Sequence, residues 1–321
     1  DSLSGRDYGI GIRILDGTNS VYGYTNSSLE SDLIKLARSL SLSVSGVDIA
    51  KPVSLVEQNC SDNNPIKIQL STIQKGNKVE LLKRAYFAAK EYDQTISQVT
   101  TAYMEEEQNI LIANSDGLWT TDNRSRARFA VSATASLNGE LQQGYYAPGA
   151  SMGYELFDYV DVAKVGVEAA RIAKAMIHAD YAPSGKMPVI LENGFGGVLF
   201  HEACGHALEA SFVSKGTSAF GGKLGQEVAS SHVTAIDDGT ITNGWGTTNI
   251  DDEGTPTRKN VLIQNGVLKS YLIDKIDGRR MGMESTGSAR RQSYRYPPTS
   301  RMNNTYIAPG NMSLSDMIGS I

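Results

Sequence analysis

From Thr95 to Tyr146 the chain alternates apolar and polar positions, carried by Ile96, Val99, Tyr103, Ile110 to Ile112, Trp119 and the run Phe129-Ala-Val-Ser-Ala. Asn114-Ser-Asp-Gly117 and Asn138-Gly139 fall between these runs, where asparagine and glycine supply the positive φ of tight hairpin turns. This stretch therefore reads as an antiparallel meander. On its N-terminal side Leu81, Leu82, Ala85, Tyr86 and Ala89 recur at helical spacing, predicting a helix from Lys78 to Tyr92. On its C-terminal side a helix of two dozen residues is expected from Tyr154 to His178, ending before Ala182-Pro-Ser-Gly185.

The remaining segments arrange themselves around that sheet. Residues 8–15 and 20–24 flank the turn signal Asp16-Gly17-Thr18-Asn19 and predict a hairpin, with a helix expected after Ser27-Ser28. Residues 1–45 thus form a hairpin-helix unit, 46–75 a polar linker, and 76–182 a helix-meander-helix unit, together an N-terminal α+β region of residues 1–182. Residues 183–321 read as a second, mostly β domain. In it Pro188–Leu191 is expected as a strand, Asn193–Gly197 as a turn and Val198–Ala210 as a helix. Further strands are expected at 227–236, 260–264 and 267–273, the last two joined across Asn265-Gly266. The fold class is α+β with mostly antiparallel sheets. Both ends read as cut: residue 1 is not Met, and Ser313–Ile321 resembles a capped helix start without a helix body.

Composition narrows the function classes. Lys+Arg 30 against Asp+Glu 35 gives a net charge of −5, which argues against binding nucleic acid through its phosphates. Two cysteines, Cys60 and Cys204, form no disulfide framework, and cytoplasm is the default location. No stretch reaches the roughly 20 apolar residues of a membrane-spanning helix.

Two of the four histidines lie in His201-Glu202-Ala203-Cys204-Gly205-His206, the densest set of metal-capable side chains in the chain. Imidazole suits zinc, and a carboxylate beside a metal-bound water acts as general base in peptide hydrolysis. The familiar zinc-protease helix spaces its histidines four apart; here they are five apart, about 140° around an ideal helix. A shared metal then demands a wider turn, and a π-type bulge loosened by Gly205 would bring both rings onto one face. The bland alternative is a pair of ordinary helix residues, one buried and one solvated, with Glu202 on the surface.

The segments around this motif carry a resemblance. Gly194-Phe-Gly-Gly-Val-Leu-Phe-His-Glu-Ala-Cys-Gly-His206, Lys215–Ser218, Ile236–Thr240, Asp251–Thr257, Val261–Lys269, Arg280–Met283, Thr286–Arg291 and Pro298–Thr305 are similar, in this order, to the TldD/PmbA family of metalloproteases. The His-Glu-x-x-x-His signature places the chain with the TldD branch, since the PmbA (TldE) branch lacks it. The resemblance implies a zinc-dependent peptidase acting on unfolded or small peptides, with Zn2+ held by His201 and His206 and Glu202 activating the metal-bound water. It implies a third metal ligand, a cysteine beyond residue 321, and a dimer formed with an identical chain or with a PmbA-like subunit.

Other motifs are weighed beside it. Arg279, Arg280, Arg290, Arg291, Arg295 and Arg301 cluster with Tyr294 and Tyr296; in the family context Arg290 and Arg291 are candidates for the backbone or terminal carboxylate of a peptide. Gly196 and Gly197 permit close backbone approach, either to the sheet or to a peptide above the metal. Asp237-Asp238 and Asp251-Asp252-Glu253 read as carboxylates bonded to turn amides rather than as a cation site. Cys204 reads as a packed residue, His232 as a strand position and His178 as a helix end. The function expected is a zinc metallopeptidase whose peptide lies extended along a sheet edge. The rival is a non-catalytic peptide- or partner-binding modulator subunit of the same family, whose name links it to DNA gyrase.

Overall fold

A computed structural model describes residues 2–44 and 53–321. At the N-terminus β1 (Ile10–Asp16) pairs antiparallel with β2 (Asn19–Thr25) through a turn in which Gly17 sits at φ 55°, and α1 (Glu30–Ser41) follows. The 46–75 linker lies partly outside the described residues. Its described part is tied down: β3 (Val56–Glu57) joins the central sheet, Leu70 is buried, and the carboxylate of Glu155 accepts the Lys67 and Ile68 amides.

Next come α2 (Lys75–Lys90), β4 (Ile96–Ala113), β5 (Leu118–Leu137), β6 (Glu140–Tyr146) and the short β7 (Gly149–Ala150). The meander forms as its turn signals require, with Gly117, Asn138 and Gly139 all at positive φ. β4 and β5 pair from Ile96 opposite Ala135 to Ala113 opposite Trp119. The other side of β5 is covered in turn by β3, which is parallel, and by β7 and β6, which are antiparallel. The single helix expected over Tyr154–His178 is divided into α3 (Leu156–Tyr159) and α4 (Val162–Ile177). Val160 and Asp161 leave helical geometry, and Asp161 caps α4 by accepting the Ala163 amide.

Helices α2 and α4 cover one face of this sheet, burying Ala85, Ala89, Val165, Ala169 and Ala170 against Phe129, Val131 and Ala133. Small residues let the helices come close: a Cβ on Gly166 would stand 2.3 Å from the Ala85 carbonyl oxygen.

The C-terminal part differs from expectation at two strands. Pro188–Leu191 forms no strand; Val189 and Leu191 are exposed, and no described strand runs alongside to take their backbone groups. Of 227–236, only the end enters β8 (Ala235–Asp238), leaving His232 in an exposed turn instead of a strand. α5 (Gly197–Phe200) leads into the candidate site, and α6 (Ala210–Val213) leaves it. β9 (Lys259–Gln264) and β10 (Val267–Leu268) make the expected hairpin, Asn265 and Gly266 both at positive φ, though β10 stops short of 273. The remaining elements are α7 (Lys275–Met281), β11 (Ala289–Arg290), β12 (Thr299–Ser300), β13 (Thr305–Ile307) and α8 (Leu314–Gly319), which carries the capping box expected at Ser313. The strand order is β10-β9-β8-β13, so β13 is an edge. No helix of the described residues is long and apolar enough to cross a membrane.

Buried carboxylates hold this region. Asp251 accepts the amides of Glu253, Thr255 and Ala289; Asp274 accepts those of Asp277 and Ser300; Asp237 accepts that of Asn303. Glu253 receives Arg13 of β1 at 2.6 Å, which docks the N-terminal hairpin on the C-terminal part. The acidic runs are therefore structural struts, as their turn setting predicts.

Candidate metal centre

Helical winding changes three times within a dozen residues. Gly194–Gly196 form a 3₁₀ turn, α5 one α turn, His201–Gly205 a π turn, and His206–Leu208 a second 3₁₀ turn. The π turn closes when the His206 amide donates to the His201 carbonyl, five residues back. Gly205 makes this possible: it is buried, and a Cβ there would stand 2.3 Å from the sulfur of Met302. The five-residue spacing is thereby absorbed, and the two imidazoles lie with ring centroids 4.9 Å apart and nearly perpendicular.

Each ring is held from behind. His201 Nδ1 lies 3.2 Å from Thr305 Oγ1 on β13, and His206 Nδ1 lies 3.1 Å from Glu209 Oε1. With both Nδ1 atoms engaged, both Nε2 atoms are free to face a common point, the arrangement in which outer partners orient metal-ligating histidines. Glu202 Oε2 lies 3.8 Å from His206 Nε2, and one donor atom each from His201, Glu202 and His206 fall within 4.8 Å of one another. Two imidazoles with a carboxylate beside them are donors that suit zinc, and their spacing is compatible with one shared ion.

The electrostatics agree with that role. Burial lowers the pKa of His201, and His206 and Arg290 push it the same way, favouring the neutral ring a metal requires. Glu209 is fully buried between His206 and Arg301, whose Nη1 lies 3.2 Å from its Oε2. Burial raises its pKa, opposed by Arg301 and His206.

The structure separates the other expected site residues. Arg290 stands near the centre, bonding the Met302 carbonyl and close enough to His201 to act on its pKa. Arg291 lies elsewhere: its amide donates to Asp252, and its guanidinium acts on Tyr22 of β2. Gly196 and Gly197 form the junction into α5, with open space where a Cβ of Gly197 would be. Cys204 is half-buried against the apolar core around Leu208 and Tyr271, and burial raises its thiol pKa. Sequence reading missed Glu209 and Thr305. Glu209 lies three residues after His206, a spacing that points back to one helix face; Thr305 comes from a distant strand and leaves no local signal.

A π turn presenting two braced imidazoles and a carboxylate defines a candidate metal centre of peptidase type. The comparisons give the family. Residues 69–177 match the PmbA/TldA metallopeptidase central domain and residues 184–321 its C-terminal domain. The chain is 38% identical to a metalloprotease TldD homolog of Buchnera aphidicola, over 98% of this chain and 67% of that protein. It is 36% identical to one of Haemophilus influenzae with the same coverage, and 32% identical to a zinc metalloprotease TldD homolog of Saccharolobus solfataricus over 53% of this chain and 38% of that protein. The chain belongs to the TldD/PmbA metallopeptidase family. Solved structures share the fold: a Thermotoga maritima protein described as a candidate modulator of DNA gyrase (TM-score 0.78, 22% identity, 96% of this chain and 68% of that one) and TldE of Thermococcus kodakarensis (TM-score 0.71, 22% identity, 96% and 70%).

Proposed function

We propose that this chain is the catalytic part of a zinc-dependent metallopeptidase acting on unfolded or small peptides, with His201 and His206 as metal ligands and Glu202 as general base. What supports the reading is the π turn, which brings one ligand atom each of His201, Glu202 and His206 within 4.8 Å of one another. Zinc, when bound, would supply Lewis acidity that polarises the scissile carbonyl and acidifies the attacking water. Glu202, exposed beside the His206 ring, takes the proton of that water and delivers it to the leaving amine. Glu209 and Thr305 keep the rings in the tautomer that leaves Nε2 unprotonated.

The peptide is proposed to lie along β13. Asn304 and Ala308 bond toward β8, so the alternate residues Thr305 and Ile307 turn their backbone groups to the open edge. No described residue bonds those groups. Strand addition there reads main chain rather than side chains, which suits unfolded substrates, and it passes the strand that braces His201. A dimer with itself or with a PmbA-like subunit belongs to the same proposal.

The test is bound metal per chain by elemental analysis, on this chain and on one of its relatives' length. About one zinc, lost in His201→Ala/His206→Ala, is expected. Glu202→Gln should keep the metal while turnover falls by about 10²–10⁴-fold. No metal above background in either chain would overturn the reading in favour of a partner-binding subunit.

A further inference from the structure

β4 ends the sheet order β3-β5-β4, so one of its two edges has no described strand beside it. The pairing with β5 shows which residues face that edge. In an antiparallel pair, residues directly opposite one another alternate between exchanging both backbone bonds and exchanging none. Phe129 of β5 donates its amide to the Pro148 carbonyl, away from β4, so Tyr103 opposite it exchanges none and turns its own amide and carbonyl to the open edge. Val99, Thr101 and Glu105, at alternate positions, do the same. No described residue bonds the backbone of residues 98–113 from that side. Edge strands of folded proteins are commonly guarded by lysine, proline or a bulge. Beyond the bulge between Ile96 and Gln98, residues 98–104 carry no charge and no proline.

The flank of this edge is apolar as well. Val79, Leu82, Lys83, Tyr86 and Phe87 of α2 line an open groove of about 450 Å³ together with Thr101 of β4. Phe87 is 54% exposed and meets Tyr86 edge-on, with ring centroids 5.4 Å apart. A strand added beside β4 would send its helix-side residues into this groove. The two ends of the edge differ in charge. At one end Lys90 Nζ bonds the carbonyls of Ile96 at 2.5 Å and Ser97 at 3.0 Å, and no carboxylate pairs with it among the described residues. At the other end stand Glu105, Glu106 and Glu107.

We propose that the β4 edge is the surface on which a second copy of this chain docks, β4 against β4 in antiparallel register about a two-fold axis at Thr101. In that register Thr101 meets the partner's Thr101, Val99 meets the partner's Tyr103, and Ser97 meets the partner's Glu105, so outward-turned backbone groups pair along the joint. The lysine end of each copy then lies against the acidic end of the other. Sliding the axis to Glu105 would set the two acidic runs against each other, and like charges directly opposite destabilise a strand pair. The two α2 helices come side by side over the joined sheet and close both grooves with Leu82, Tyr86 and Phe87. The assignment rests on the dimer in the reading above and gives it a surface. Val99 and Tyr103 belong to the core under α2 and α4, so the pairing uses none of the candidate metal residues.

The test is molar mass in solution by light scattering, on this chain and on one of its relatives' length. Wild type is expected at twice the mass of one chain. Thr101→Lys and Thr101→Glu each place like charges on the axis and should weaken self-association by about 10- to 100-fold, while an equimolar mixture of the two should pair again because lysine then faces glutamate. Neither variant removes a bond to β5, since the backbone groups of Thr101 face the open edge. A wild-type chain that stays single, variants that pair as tightly as wild type, or a mixture that does not recover overturns the proposal. Hydrogen exchange on the wild-type protein reads the same joint without any substitution: the amides of Val99, Thr101 and Tyr103 should exchange more slowly as concentration rises, and rates independent of concentration overturn it. A chain that stays single until a PmbA-like subunit is added overturns the second copy as occupant. Bound metal per chain keeps the two readings apart, because a pair without zinc removes the peptidase and leaves this surface, whereas zinc in a single chain removes the surface and leaves the peptidase.

Discussion

In the central sheet, β4 and β5 run for 18 and 20 residues, and the inner face is filled by Phe129, Val131, Ala133, Ala85 and Ala169. The sheet beside the candidate metal centre is built from strands of two to six residues, and the segments between them are pinned by Asp237, Asp251 and Asp274. The first region gains stability by removing apolar surface from water, roughly 1.5–3 kcal/mol for each large side chain. The second buries an apolar cluster too, around Leu208, Leu262, Leu268 and Tyr271, but the short strands and loops beside it are also held by carboxylates that satisfy loop amides one by one. A region assembled that way can hold irregular backbone in a fixed shape, which is what the proposed pair of ligating imidazoles and the base beside them would require.

The widest contrast is between two buried side chains. Phe129→Ala removes a fully buried ring and should cost about 3–5 kcal/mol. Asp251→Ala leaves the amides of Glu253, Thr255 and Ala289 without an acceptor in buried surroundings, and should cost about 3 kcal/mol, each orphaned donor being worth roughly 1–3. Urea denaturation of both variants measures this. Asp251→Ala costing under about 1 kcal/mol would break the contrast, since the C-terminal region would then owe its shape to its apolar core as well.

Legibility followed the same divide. The meander, its Asn138-Gly139 turn and the Asn265-Gly266 hairpin are plain in the sequence because periodicity and turn chemistry are local. The π turn was legible for a rarer reason: histidines five apart beside a glycine leave little else that brings them together. The stretch Pro188–Leu191 shows the limit. Its residues have strand character, but a strand is made by its neighbour, and no described strand lies beside it. Thr305 was hidden by distance in sequence from His201.

Acidity sharpens the comparison. Burial pushes Asp237 up to about 7, against the Asn303 amide that favours its charged form. An unfolded aspartate titrates near 3.9, so between about pH 4 and 7 the folded chain holds a proton that the unfolded chain has released. The contribution is present in full below pH 4 and lost as pH rises through about 7. Wild-type protein should therefore gain stability on going from pH 8 to pH 5 relative to Asp237→Asn, by an amount on the order of 2 kcal/mol. Parallel melting curves for the two proteins would place Asp237 outside this account.

The smallest effect belongs to the apolar region, at the one place where it too depends on a carboxylate. Helical periodicity runs unbroken from Tyr154 to His178, yet the chain leaves the helix at Val160 and re-enters at Val162. Asp161 decides this: its side chain accepts the Ala163 amide, which would otherwise have no acceptor at the start of α4, and α4 then begins at the angle that lays Val165 and Ala169 on the sheet. Asp161→Ala should cost about 1 kcal/mol and Asp161→Ser close to nothing, because a hydroxyl accepts the same bond. Arg84 lies 3.7 Å from the Asp161 carboxylate, but both side chains are exposed, so that pair is worth little. Arg84→Ala separates the two contributions: if it matches Asp161→Ala, the break between α3 and α4 is held by charge across the helix pair rather than by the cap.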